Sequence, residues 1–104
     1  MSYKVVGKIS KPLQQQFTDV DSAFAELYSN LSVELIALIQ EMKDSGKIES
    51  DNFELNENGE LIHTRVYSDS EDFYTLSNNK EYFKHRFSLM DKGWSAELIK
   101  EIEI

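Results

Sequence analysis

The sequence predicts a single α+β domain built in the order β-α-β-β-α-β. Three observations predict it. A long apolar stripe at helical spacing follows a short β-branched run; an Asn58-Gly59 turn signal sits between two strand-like runs; and a second capped helical region precedes a C-terminal run that alternates. The chain has 104 residues, one domain by length.

Residues 3–9 form the first strand, because Val5, Val6 and Ile9 suit a pleated surface. The polar stretch 10–16, with Pro12, is a connection. Thr18 followed by Asp21 resembles a helix-capping box. Val20, Phe24, Leu27, Leu31, Leu35, Leu38 and Met42 then lie along one helical face, and Gly46 suits the left-handed cap that ends it. Ser29, Asn30 and Ser32 are weak helix formers that predict a kink or a restart within this helix. Ser68-Asp69-Ser70-Glu71 is a second capping box. Phe73, Leu76, Phe83, Phe87 and Met90 point inward from the helical region behind it, which Ser77-Asn78-Asn79 interrupts. Residues 96–104 alternate imperfectly and predict a fourth strand, with a short helix as the competing reading.

The Asn58-Gly59 pair favours a two-residue type I′ turn, since both residues tolerate positive φ. Counting outward from such a turn sets Leu55 opposite Ile62, Glu54 opposite His63 and Phe53 opposite Thr64. Alternation then places Phe53, Leu55, Ile62 and Val66 on one sheet face. Glu54, Leu61, His63, Arg65 and Tyr67 fall on the other, with Lys4, Val6 and Lys8. The whole is a ferredoxin-like sandwich, a four-stranded antiparallel sheet with two helices on one face. The mixed face, turned away from the helices, is where function would sit.

Composition excludes several classes. There is no Cys, so no disulfide, thiolate nucleophile or Cys-based metal site can form. Nineteen acids against eleven bases give a net charge of −8, which opposes binding to nucleic acid and to anionic membranes. RNA-recognition modules of the same topology also need stacked aromatics on their central strands, and these strands offer few. No apolar run approaches the roughly 20 residues of a membrane span. The expectation is a soluble, cytoplasmic protein with no cofactor and no metal.

The run Gly59-Glu60-Leu61-Ile62-His63-Thr64-Arg65-Val66-Tyr67-Ser68-Asp69-Ser70-Glu71-Asp72-Phe73 resembles the third strand and second-helix start of the dimeric α/β-barrel superfamily, which includes the antibiotic-biosynthesis-monooxygenase-like proteins. Those chains pass from a hydrophobic strand through an aromatic residue and a serine into a helix cap and a Phe. The resemblance implies a homodimer whose two sheets face each other around a cleft lined by the mixed face. It leaves the ligand open, because the superfamily hosts cofactor-free oxygenases, haem-handling enzymes and proteins with no assigned activity.

His63 with Glu54 reads as an acid/base pair, the carboxylate orienting the imidazole, or as a cross-strand polar pair on a solvated face. Arg65, Tyr67 and Leu61 read as contacts for a small organic ligand, or as barrel-interior and dimer-contact residues. His85 and Arg86, with Lys84, read as a solvated helix face. His63 and His85 lie on different elements, so their spacing gives no support for a metal. Trp94 reads as a packing residue beside Gly93. The competing function is a non-catalytic acidic protein that docks on a basic protein partner, as an inhibitor or nucleic-acid mimic.

Overall fold

The sheet holds four antiparallel strands in the order β2-β3-β1-β4: β1 is Tyr3–Ser10, β2 Ile48–Leu55, β3 Leu61–Tyr67 and β4 Ser95–Glu103. This computed structural model describes residues 1–29 and 31–104, with the side chains of Leu13, Arg86 and Phe87 left outside the description. The expectations resting on Asn30, Arg86 and Phe87 therefore lie outside the described residues. Among the described residues no helix is long and apolar enough to cross a membrane.

Each predicted helix is divided in two. The first comprises α1 (Val20–Tyr28) and α2 (Val33–Asp44), and the second α3 (Ser70–Ser77) and α4 (Lys80–Asp91). The breaks fall where polar residues cap better than they propagate a helix. Ser32 accepts from the Leu35 N–H at 3.1 Å, and its own N–H and hydroxyl donate to Glu81 on α4 at 2.8 and 2.5 Å. Asn79 caps α4 by accepting from the Tyr82 N–H at 3.0 Å. The outer caps sit at Asp19 and Asp69, each accepting an N–H three residues on, so Asp19 takes the place expected of Thr18. The C-terminal run is a strand, and the competing helix is overturned.

The hairpin departs from expectation by one residue, and the departure moves the site. The loop joining β2 to β3 is Asn56–Glu60: Gly59 N–H donates to the Asn56 carbonyl at 3.1 Å and Asn56 N–H to the Glu60 carbonyl at 3.0 Å. Within this loop only Gly59 has positive φ, +74°. Asn56 and Glu60 close the loop, which leaves three residues, 57–59, between them with the glycine in the left-handed position, not a type I′ turn. Leu55 therefore pairs with Leu61, Phe53 with His63 and Asp51 with Arg65. A slip of one residue exchanges the faces of a strand.

Tyr3, Val5 and Ile9 of β1 lie opposite Tyr67, Arg65 and Leu61, and all of these face the helices. The outward face instead carries Lys4, Val6 and Lys8 paired with Val66, Thr64 and Ile62. In β4 a bulge opposite Val6 and Gly7 leaves Ile99 unpaired.

The core forms two clusters, one at each end of β3. Leu35, Ile39 and Met42 of α2 meet Ile48, Tyr67 and Leu76 at one end. Ala23, Leu27 and Leu89 meet Phe17, Leu61 and Trp94 at the other. Trp94 packs edge-on to Phe17, ring centroids 5.6 Å apart, as its packing role predicts. His63 and Arg65 occupy the stretch of β3 between the two clusters.

Candidate functional site

Between the two clusters, sheet and helices enclose a cavity of about 370 Å³. That falls in the size range of small-ligand pockets. His63, Arg65 and Tyr67 line it from β3, Tyr28 from α1, and Tyr82 and His85 from α4. Phe83, Met90 and Leu98, each a little over half exposed, also border it and mark its open side. Gly7 lines the cavity where any other residue would project a side chain into it.

One acidic residue organises the polar wall. Asp51 reaches inward from β2, its side chain 8% exposed. Arg65, 2% exposed, grips both carboxylate oxygens, Nη2 to Oδ2 at 2.9 Å and Nε to Oδ1 at 3.2 Å. His63 Nε2 hydrogen-bonds Asp51 Oδ1. Lys43 of α2 adds its ammonium at 3.3 Å. Burial alone would push the Asp51 carboxyl up, but hydrogen bonds from His63 and Arg65 and the charge of Arg65 hold it well below the ordinary Asp range. Asp51 is ionised at neutral pH.

His63 is shifted the other way for a base. Burial pushes its pKa down, and the nearby Arg65 and Lys43 cations lower it further, against the opposing pull of Asp51. The imidazole is therefore neutral at pH 7. With Asp51 accepting at Nε2, the proton sits there and Nδ1 keeps its lone pair, the tautomer a general base requires. Phe53, its cross-strand partner, stacks on the ring at 4.2 Å between centroids and nearly parallel, which fixes the plane of the imidazole.

The structure thus brings His63, Arg65 and Tyr67 together, but on the helix-covered face. Glu54 is not their companion. It sits opposite Ile62 on the outward face, exposed, accepting from Asn52 at 3.2 Å. The register slip removes it from His63 and puts Asp51 in the orienting role. Leu61 is fully buried in the core cluster with Leu27 and Trp94 and does not line the cavity. His85 joins His63 at the cavity although the two lie on different elements. Burial lowers its pKa also. Among the described residues no group of three or more His, Asp or Glu is placed to hold a metal ion. Asp51 is the residue that sequence reasoning missed. The signal lay in the turn, because Asn56, able to close a longer loop with its side chain, predicts the observed register.

The fold is similar to that of a provisionally assigned antibiotic biosynthesis monooxygenase from Deinococcus radiodurans, with a TM-score of 0.66 and 10% identity over 100% of this chain and 92% of that one. It is also similar to Rv0793 from Mycobacterium tuberculosis, with a TM-score of 0.58 and 13% identity over 100% and 98%. At these identities the likeness is one of fold, and at that level the resemblance to the antibiotic-biosynthesis-monooxygenase-like proteins holds along the whole chain. No protein-family profile matches the sequence. No curated protein matches it either.

Proposed function

We propose that this chain binds a small, mainly apolar organic molecule in the cavity between sheet and helices, and that His63 moves a proton to or from it. The reaction class is that of a cofactor-free oxygenase-like or isomerase-like enzyme, in which removing a proton from an activated C–H or O–H is the step the protein must assist. One observation carries this reading: a neutral, oriented imidazole on the wall of a ligand-sized cavity, backed by an ionised carboxylate. Asp51 fixes the tautomer and stabilises the imidazolium formed when His63 accepts a proton. The fold likeness to a protein assigned to the monooxygenases is consistent with it.

The test is a panel of phenols and enolisable ketones, followed by oxygen uptake and by proton–deuterium exchange. His63→Ala should reduce any turnover by roughly 10²-fold or more. Glu54→Gln, on the outward face, should leave it unchanged. Undiminished turnover in His63→Ala sinks the assignment.

The same reading includes a homodimer. On the outward sheet face Val6, Ile62, Val66 and Ile102 are interleaved with Lys4, Lys8, Thr64 and Lys100, a mixed surface that a second copy could cover. Two copies that cover this surface would each keep their own cavity. Light scattering should then give about twice the 12.1 kDa chain mass. A monomer across the concentration range rejects the dimer.

A further inference from the structure

The polar wall is asymmetric, and the asymmetry points to the kind of ligand it receives. Arg65 uses its Nε and Nη2 edge on Asp51, while Nη1 turns away and donates to the Tyr67 hydroxyl oxygen at 3.3 Å. The guanidinium thus lies between a carboxylate behind it and a phenol in front. A phenol that accepts from a cation becomes a stronger donor through its own proton. Tyr67 is a donor at neutral pH, because burial raises its pKa against the opposing pull of Arg65. Tyr28 and Tyr82 line the same cavity and lie within the electrostatic reach of Arg65 and Tyr67.

Charge adds to this. Arg65 offsets Asp51, and Lys43 contributes a further cation, while His63 is neutral. The buried carboxylate of Asp51 is thus met by two cations, Arg65 in the cavity wall and Lys43 outside it, in a chain of net charge −8. Glu97, the acid that lines the cavity from β4, is paired with Lys8 at 3.2 Å and two-thirds exposed. Apart from Ser77 and His85, the remaining lining is aromatic and aliphatic, including Phe73, Phe83 and Leu89.

We propose that the cavity takes a flat apolar carboxylate, and that the Tyr67 hydroxyl, backed by Arg65, receives the carboxylate group. A carboxylate is already ionised at neutral pH, and one of its oxygens can accept from the Tyr67 hydroxyl while Arg65 donates to that hydroxyl's oxygen. This inference rests on the cavity's being a small-molecule site. It adds the chemical class of the ligand and a binding role for Tyr67 separate from proton transfer.

The test uses 2-naphthoate and its neutral isostere 2-naphthamide, titrated calorimetrically at pH 7. The wild type should bind the carboxylate at least roughly tenfold tighter, the expected worth of a hydrogen bond to a charged group. Tyr67→Phe keeps the buried ring and removes only the hydroxyl. It should weaken 2-naphthoate by a similar factor and leave 2-naphthamide within roughly twofold. Equal affinity of the wild type for both probes overturns the proposal and leaves the cavity reading standing. A carboxylate preference undiminished in Tyr67→Phe overturns the role of Tyr67. Binding of neither probe at millimolar concentration overturns both readings. The wild-type comparison decides the ligand class even if the variant does not fold. Turnover in His63→Ala reports separately on the base.

Discussion

Burial pushes the Asp51 carboxyl toward its protonated form, because it disfavours the charge. Arg65 and His63 reverse that, and the result is a buried ion pair whose halves depend on each other. Removing one partner strands a buried charge, so Asp51→Asn should destabilise the fold by about 3–5 kcal/mol, measured by urea unfolding. A loss under about 1 kcal/mol would mean that water reaches the pair in solution and screens it. The same groups set the acid response. The Asp51 pKa is depressed in the folded state, so its contribution is present above the ordinary value of about 3.9 and is lost as pH falls below it. The His63 and His85 pKa values are depressed too, so unfolding takes up protons and stability falls as pH drops below about 6.5. Urea midpoints at pH 7.5 and 5.5 should therefore differ, the lower pH being less stable, and His63→Gln should shrink the difference. A midpoint that rises on acidification contradicts the neutral His63. At this scale His63, Arg65 and Tyr67 were legible in the sequence, because alternation along a strand puts them on one face whatever the register. Asp51 was not, since a residue on the neighbouring strand is placed only by the turn between them.

The turn is thus the element on which the site depends. Its conformation needs one left-handed residue, Gly59, where an added Cβ would also meet Gln16 at 3.2 Å. Gly59→Ala should cost about 1–2 kcal/mol from backbone strain alone. Asn58 keeps negative φ, so Asn58→Ala should change stability by less than about 0.5 kcal/mol. A type I′ turn would make both positions costly, so equilibrium unfolding of the two variants distinguishes the registers. The Asn56 side chain does what the Asn58-Gly59 pair was expected to do: it accepts from the N–H groups of Asn58 and Glu60 at 3.0 and 2.9 Å. The helices and strands were otherwise legible from spacing and caps, and both helix breaks coincide with the Ser and Asn positions that predicted them. On β1, Gly7 lies opposite His63 and Leu98, and a Cβ there would meet only the Glu97 carbonyl, at an ordinary 3.7 Å. Gly7→Ala should therefore fold, and Gly7→Leu, whose folding circular dichroism checks, should fill the cavity and abolish 2-naphthoate binding. Intact binding in that variant would place the ligand elsewhere.

At the scale of the molecule the two sheet faces divide the work. The covered face carries the polar cluster and its cavity between two apolar clusters. The outward face carries the interleaved apolar residues and lysines of the proposed dimer. The sequence predicted the layers correctly and placed His63, Arg65 and Tyr67 on the wrong one, because the hydrophobic pattern of β3 is ambiguous. Its inward residues include a histidine and an arginine that look like surface groups, while Ile62 and Val66 on the outward side look like core. A buried ion pair cannot be read from hydropathy, since each partner is tolerated there only because of the other. The most direct test of the central claim, that the site is the interior cavity, is a set of backbone amide spectra titrated with 2-naphthoate. Shifts are expected to concentrate at Gly7, His63, Tyr67, Phe83 and Leu98. Shifts confined to Lys4, Val6, Thr64 and Val66, with the inner set unmoved, would contradict that claim and return the site to the outward face.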